Sequence, residues 1–351
     1  MRTSYKEKDV ILLLKDITGL IEPSPAEERE KKIQKGTHYS EMLPLEYKPS
    51  EEYMEMYRLA LKNYSSETAA AVVQVSEKIY KLKGEKVVLV SLARAGIPIG
   101  ILIKHYLEER YEIEEIIHYS ISIIRGKEID HNAMKYILSK HNAEDIQFVD
   151  GWIGKGAILG ELQKAVEKYN GVSAELAVLS DPAGMTKLNG TQEDILIPSS
   201  CLNSTVSGLV SRTFLRKDII KDDDFHGAVF YPELISEDVS YEFIEEVEKY
   251  FKMESIEKPE KIIKQSGMEE VLKISKDFKI EDINFIKPGI GETTRVLLRR
   301  VPWKILINEK YKEDTVLQHL YRLAYEKKVP VEYYPLENYK ACGIIKKYSD
   351  I

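Results

Sequence analysis

The sequence predicts an α/β fold, with a doubly wound parallel sheet followed by a small C-terminal α/β sandwich. Short apolar segments alternate with helical patterns from residue 86 to about residue 197, which is typical of parallel sheets covered by helices. Two of these segments end in glycine-containing turns. The composition changes near residue 240, and a second compact pattern begins near residue 282. A chain of 351 residues is long enough for two domains with extensions.

The elements follow in order along the chain. Residues 1–59 mix short helical patterns with polar connections and are predicted to form an extension, or hood, beside a first predicted domain of residues 60–239. The apolar spacing within 51–83 predicts helices. Predicted strands lie at 86–91, 116–124, 146–149, 176–179 and 195–197, and predicted helices lie at 97–109, 132–141 and 158–169.

Residues 240–279 are rich in Glu and Lys and are predicted to form a helical linker. The C-terminal domain, 280–351, has a turn at 287–289 and then alternates helix and strand. Its predicted helices are 292–300 and 315–327, and its predicted strands are 303–307 and 331–334. About 70 residues suffice for a small core of their own.

Composition excludes several classes of protein. Hydrophobic residues make up 43% of the chain, charged residues 31%, and no apolar stretch approaches the eighteen residues of a membrane span. Cys201 and Cys342 lie far apart without metal-ligand spacing, which predicts a cytoplasmic protein with no protein-held metal site and no membrane partner. The net charge of −7 restricts any nucleic-acid contact to a local basic patch.

The first glycine-containing turn follows the strand at 86–91. Its small residues and one arginine would reach the carboxyl edge of the sheet, where α/β proteins bind ligands. Backbone amides at the following helix start suit an anion, which Arg94 could hold. An ordinary strand–helix turn with a solvated arginine is the alternative. The candidate residues are Ser91, Leu92, Ala93, Arg94, Ala95 and Gly96.

The second turn follows the strand at 146–149. Asp150 ends the strand, and its carboxylate suits ribose hydroxyls, while the amides of 154–157 suit a phosphate and Lys155 adds charge. The glycine spacing differs from that of a Walker loop, and a turn without a ligand is the alternative. The candidate residues are Asp150, Gly151, Gly154, Lys155, Gly156 and Ala157.

Together the two turns resemble the type I phosphoribosyltransferase fold. This resemblance implies that residues 91–96 bind the pyrophosphate of phosphoribosyl pyrophosphate (PRPP), that residues 154–157 bind its 5-phosphate, and that Asp150 holds the ribose. Gly151 stands where the family usually has a second acid. The implied reaction displaces pyrophosphate from PRPP by a nitrogenous acceptor, with Mg²⁺ carried largely by PRPP itself.

The same resemblance implies a mobile flap at 120–132, with Arg125 on the pyrophosphate and Asp130 or His131 as acid or base. A charged surface loop is the alternative. Hydroxyl and amide side chains concentrate in 197–213, where the acceptor is expected to bind. The candidates there are Ser200, Cys201, Asn203, Ser204 and Thr205.

Two further segments, 38–44 and 180–184, indicate one particular group of proteins within this resemblance. Nearly the whole chain is similar to the phosphoribosyltransferase-like proteins of bacterial tellurite-resistance and stress operons, a family also labelled cysteine protease StiP. That label leaves open a cysteine peptidase with Cys201 as nucleophile and His38, His131 or His226 as base. No histidine occupies a diagnostic sequence position.

The C-terminal segment 286–300 resembles the Pelota-type RNA-binding domain, which is related to kink-turn-binding ribosomal proteins. The resemblance implies that Lys287, Gly291, Glu292 and Arg295 contact flipped-out bases and backbone of structured RNA. A protein-docking module is the alternative, and a non-catalytic regulator that binds PRPP and RNA is a third hypothesis for the chain. The sequence leaves open whether the chain forms a homo-oligomer.

Overall fold

The computed structural model describes residues 1–252, here called the main domain, and residues 266–347, here called the C-terminal domain. Part of the predicted linker, 253–265, and the last residues of the predicted C-terminal domain, 348–351, lie outside the described residues.

The main domain alternates strands and helices along the chain. Its strands are β1 (Ile11–Leu12), β2 (Lys15–Asp16), β3 (Val88–Leu92), β4 (His118–Ile121), β5 (Ile123–Ile124), β6 (Glu128–Ile129), β7 (Ile146–Trp152), β8 (Leu176–Ser180), β9 (Asn189–Thr191) and β10 (Gly227–Ala228). Its helices are α1 (Ala26–Gln34), α2 (Glu51–Lys83), α3 (Gly96–Tyr111), α4 (His131–Leu138), α5 (Ala157–Val166) and α6 (Ser240–Glu248).

Six parallel strands form the main sheet in the order β1-β4-β3-β7-β8-β9. Every residue of β3 is buried, because helices cover both faces. Leu89 packs with α2 and α3 on one face, whereas Val88 and Val90 pack with α4 and α5 on the other. The predicted α/β class with a parallel sheet is confirmed.

The strand predicted at 195–197 is wrong. The edge strand is β9, which pairs with β8, and residues 194–197 form no ladder. Ile195, Leu196 and Ile197 are apolar because they pack into the core, and a short apolar run does not by itself distinguish a strand from other buried chain. Pro198 then begins a 3₁₀ turn that contains Cys201.

The C-terminal domain is a mixed sheet covered by helices. Its elements are α7 (Gly267–Asp277), β11 (Ile286–Pro288), α8 (Ile290–Arg299), β12 (Pro302–Ile307), α9 (Gln318–Glu326), β13 (Val331–Tyr333) and β14 (Ala341–Ile345). The strand order is β11-β14-β12-β13, and only β12 and β13 run parallel. Helix α7 falls within the predicted linker, where a capping box between Ser266 and Glu269 starts it.

None of the helices within 1–252 and 266–347 combines the length and the apolar character needed to cross a membrane.

Candidate functional site

The two predicted turns lie side by side at the carboxyl edge of the main sheet. Strands β3 and β7 are hydrogen-bonded neighbours, so the turns that follow them meet. Gly96 allows this approach, because a Cβ there would lie 2.6 Å from the Val149 carbonyl oxygen.

Arg94 in the first turn is buried in an ion pair. Its Nη2 lies 3.0 Å from Glu46 Oε1, and its Nη1 donates to the Val210 carbonyl at 2.6 Å. Burial raises the pKa of Glu46, but the Arg94 and Arg299 guanidiniums outweigh it and hold that pKa below its usual value. The side chain expected to meet pyrophosphate therefore meets Glu46 in this structure.

The neighbours of Arg94 in the first turn present little to a ligand. The Ser91 hydroxyl is buried and hydrogen-bonds the His118 ring at 2.7 Å, and Leu92 is 2% exposed. Ala95 lines only a small void of about 20 Å³. In this structure the first turn joins β3 to α3 with its side chains held by groups of the protein itself.

The second turn lines a cavity of about 290 Å³ between the two domains. Asp150 accepts a hydrogen bond from the Gly151 amide at 2.8 Å, and burial raises the pKa of Asp150 to about 6 despite the nearby Arg295 charge. Lys155 donates to the carbonyls of Ile283 and Ile286 in the C-terminal domain. Burial, together with the charges of Lys287 and Arg125, lowers the pKa of Lys155 to about 7.

The C-terminal domain closes the other side of this cavity. Gly291 packs so tightly on Trp152 that a Cβ would lie 2.6 Å from the indole. Arg295 stacks over the same ring, with Cζ 4.3 Å from its centroid, and pairs with Glu292 at 3.2 Å. The residues expected to contact RNA, including Lys287 at the cavity wall, therefore face the main domain in this structure.

The predicted flap separates into two environments. Arg125 lines the interdomain cavity, and its Nη1 donates to Asn284 Oδ1 at 2.7 Å. Asp130 is instead the N-cap of α4, accepting from the amides of Asn132 and Ala133, and it also accepts from the His226 amide at 2.6 Å. Asp130 is 1% exposed, and in this structure its carboxylate caps α4; its role as an acid or base stays a prediction.

Tyr39 and Arg212 also line this cavity, and sequence reasoning did not place them there. Arg212 Nη2 donates to the carbonyl of Met42 at 2.8 Å, and its guanidinium stacks over the Tyr39 ring. The two residues are far apart in the chain, and no local pattern marks their convergence with α8.

A second cavity, of about 270 Å³, adjoins the hydroxyl-rich stretch. It is lined by Glu46, Cys201, Asn203, Ser204 and Thr205 among others, whereas Ser200 lies outside it. Cys201 is 1% exposed, and burial raises the pKa of its thiol to about 12. Tyr53 donates to the Cys201 carbonyl at 2.7 Å, which fixes the backbone there.

The histidines predicted as bases are engaged elsewhere. No histidine is among the residues that line the Cys201 cavity. His38 contacts the Arg125 carbonyl, His131 contacts Glu128, and His226 contacts Ser122. The described parts of the chain also hold no cluster of three or more metal-binding side chains.

Comparisons with known proteins give a family for the whole chain. A family model described as tellurite-like stress resistance cysteine protease StiP matches residues 3–248, and the PELOTA RNA binding domain matches residues 265–347. Cysteine protease StiP from Acinetobacter baylyi is 35% identical, with 98% of this chain and 94% of that protein aligned.

Solved structures add little. A hypoxanthine-guanine phosphoribosyltransferase from Bacillus anthracis is 16% identical, with 35% of this chain and 71% of that chain covered, at a TM-score of 0.24. A hypoxanthine-guanine-xanthine phosphoribosyltransferase is 12% identical, with 48% and 93% covered, also at 0.24. Scores this low support no inference about the present protein.

The predicted phosphoribosyl transfer from PRPP is therefore wrong, because the family model and the Acinetobacter baylyi relative both specify a cysteine protease. Magnesium, expected only together with PRPP, stays a prediction. The match over nearly the full length shows that this chain belongs to the StiP family and carries a C-terminal Pelota RNA-binding domain.

Proposed function

We propose that the chain is a cysteine peptidase with Cys201 as its nucleophile. The observation that carries this proposal is that Cys201 lines the 270 Å³ cavity. The chain has one other cysteine, Cys342, which lies at 0% exposure on β14, between β11 and β12. The names of the family and of the Acinetobacter baylyi relative support the same chemistry.

The reaction requires attack by Cys201 Sγ on the carbonyl carbon of a peptide bond. As the carbon–nitrogen bond breaks, the thiol proton passes to the leaving amine, and water then hydrolyses the thioester and restores the thiol. Thr205 is among the residues that line the same cavity, and its hydroxyl, which is buried in this structure, has no hydrogen-bond partner among the described residues. Rotation of this side chain toward the cavity would supply a donor for the oxyanion that forms during attack.

Hydrolysis of a fluorescently labelled casein tests this assignment. Cys201→Ser should lower the rate by at least about a hundredfold, because a serine without a base is a poor nucleophile. Cys342→Ser and Asp150→Asn should retain the rate, since neither residue lines the Cys201 cavity. Cleavage by Cys201→Ser at the wild-type rate would refute the proposal.

We also propose that the C-terminal domain binds structured RNA. The match of residues 265–347 to an RNA-binding family supports this second function. Fluorescence anisotropy with a kink-turn RNA, and with a regular duplex as control, measures the affinity. Measured in Trp152→Ala protein, which already lacks the contact between the Arg295 guanidinium and the indole, Arg295→Ala should weaken binding to the kink-turn by about 1–3 kcal/mol. Equal binding of both RNAs by wild type would contradict shape recognition.

The parallel sheet, we infer, is a type I phosphoribosyltransferase architecture that serves here as a scaffold. Glycine-containing turns after the neighbouring strands β3 and β7 support this assignment. A fold of this kind hosts unrelated activities, so the architecture is compatible with a peptidase site beside the sheet.

A further inference from the structure

We propose that the Cys201 cavity selects peptides that carry a carboxylate, and that this carboxylate pairs with the Arg29 guanidinium. The inference rests on the proposed function, since it concerns the peptide that Cys201 cleaves. The carboxylate belongs either to an acidic side chain or to the C-terminus of the peptide. Arg29 selects the substrate in this way and takes no part in the chemical step.

The Arg29 side chain is buried at the cavity without a partner of its own. It extends from α1 and is among the residues that line the Cys201 cavity. Arg29 is 2% exposed, and its Nε is buried without a hydrogen-bond partner. Within 1–252 and 266–347, its guanidinium forms no ion pair, although several other arginines of the same region do.

The two carboxylates nearest in charge to Arg29 are already paired with other arginines. Glu30 accepts from Arg300 Nε at 2.7 Å and from Arg300 Nη2 at 3.0 Å. Glu46 pairs with Arg94 at 3.0 Å. Burial and the charge of Arg300 lower the pKa of Arg29, and the attraction of Glu30 and Glu46 does not offset them. The Arg29 charge is therefore incompletely compensated by the protein.

An arginine in such a position favours an anionic ligand. Its guanidinium keeps its proton in proteins, so burial does not neutralise it as it can neutralise a lysine. A buried polar group without a partner indicates a missing ligand, ion or water. The planar guanidinium matches a carboxylate, which it binds with two parallel hydrogen bonds. A peptide offers such a group at its acidic side chains and at its C-terminus.

The lining of the cavity places this subsite beside the nucleophile. Cys201 and Arg29 both belong to the buried part of the lining, together with Leu323 of the C-terminal domain. Tyr47, which also lines the cavity, is 67% exposed, so the cavity is open to solvent on that side. Its volume of about 270 Å³ suits one side chain with the adjoining peptide bond. A peptide held at Arg29 therefore lies within the space that Cys201 borders.

Calorimetric titration of Cys201→Ser protein with three short peptides tests the proposal with little cleavage. The first peptide has a central glutamate and is capped at both ends. The second has glutamine in its place, and the third has that glutamine together with a free C-terminal carboxylate. The first or the third should bind at least about tenfold more tightly than the second. Whichever gains affinity identifies the source of the carboxylate.

Substitutions of Arg29 in the same Cys201→Ser background test the residue itself. Arg29→Gln should abolish the preference for a carboxylate. Arg29→Lys should retain part of it, because lysine keeps the charge without the paired hydrogen bonds, and this variant carries the test if Arg29→Gln does not fold. Arg110→Gln, at an exposed arginine of α3 outside the cavity, is the matched control and should keep the full preference.

Equal affinity of Cys201→Ser for the three peptides would overturn the proposal. So would no binding of either carboxylate peptide at millimolar concentration, or an undiminished preference in Arg29→Gln. Casein hydrolysis by wild type is a separate readout. Hydrolysis without the preference would refute the subsite and leave the peptidase assignment, whereas the preference without hydrolysis would support the subsite and refute Cys201 as the nucleophile.

Discussion

The Arg295 guanidinium lies over the Trp152 indole, with 4.3 Å between Cζ and the ring centroid. This contact joins α8 of the C-terminal domain to the end of β7 in the main domain, directly beside the interdomain cavity. Cation–π contacts of this kind contribute about 0.5–2 kcal/mol, depending on how far they are desolvated. The RNA-binding face inferred from the family resemblance is thus covered by the protein's own main domain.

Replacement of Trp152 should loosen this docking without altering the C-terminal domain. Trp152→Ala removes the ring on which Gly291 and Arg295 pack. We expect the full chain to bind kink-turn RNA more tightly than wild type does, because less free energy opposes exposure of the RNA-binding face. Fluorescence anisotropy measures the change. Trp152→Phe, which keeps an aromatic ring, should be intermediate, and unchanged affinity in Trp152→Ala would contradict the covered face.

Alkylation of Cys201 should depend steeply on pH. Burial raises the pKa of its thiol to about 12. Below that pH, the thiolate fraction increases about tenfold with each unit by which the pH rises. Mass spectrometry of the iodoacetamide adduct gives the rate. We expect a continuous rise between pH 7 and pH 9, about a hundredfold in all. A plateau below pH 8 would show that the thiol is already activated, contrary to this packing.

Loss of the Glu46 charge should destabilise the main domain. Glu46→Gln leaves the buried Arg94 guanidinium, which now lies 3.0 Å from a carboxylate oxygen, without a negative partner. Breaking a buried pair in this way costs about 3–5 kcal/mol of the free energy of unfolding. Urea denaturation at neutral pH measures it. Glu281→Gln breaks only an exposed pair with Lys347 and should leave stability unchanged; equal stability of both variants would show that the Glu46 pair is unimportant.

His105 should make stability depend on alkaline pH. Burial lowers the pKa of His105, but hydrogen bonds to Asp9 and Glu248 outweigh it and raise that pKa to about 9. A raised histidine pKa stabilises the fold fully below its unfolded value, near 6.5, and this contribution is lost as pH rises through 9. We expect wild type to lose about 2 kcal/mol more than His105→Gln between pH 6 and pH 10. Parallel pH profiles from urea denaturation would contradict this linkage.

Local patterns in the sequence predict the scaffold well. β-branched residues in β3 and small residues after it predict a buried parallel strand followed by a turn at the carboxyl edge of the sheet, and the structure has both features. The short run at 195–197 misleads, because core packing and strand pairing select the same apolar residues. Strands β11 and β14 are too short, or alternate too little between apolar and polar residues, to be recognised from the sequence before their partner strands are known.

The candidate sites depend on contacts that no local pattern encodes. Tyr39, Arg212 and Arg299 reach one cavity from three distant segments. Arg94 is predicted to hold pyrophosphate, yet in this structure it pairs with Glu46, which is far from it in the sequence. The glycine-containing turns suggested the wrong chemistry because backbone geometry at a sheet edge is a property of the fold, whereas activity depends on particular side chains. The division of the chain at residues 60, 240 and 280 stays a prediction.

Alkylation of Cys342→Ser protein, in which Cys201 is the remaining cysteine, tests most directly whether Cys201 is the nucleophile. Residual casein hydrolysis and the fraction of Cys201 modified are measured at the same time points. We predict that casein hydrolysis falls in proportion to modification and reaches zero when Cys201 is fully alkylated. Undiminished hydrolysis by fully alkylated protein would contradict Cys201 as the nucleophile.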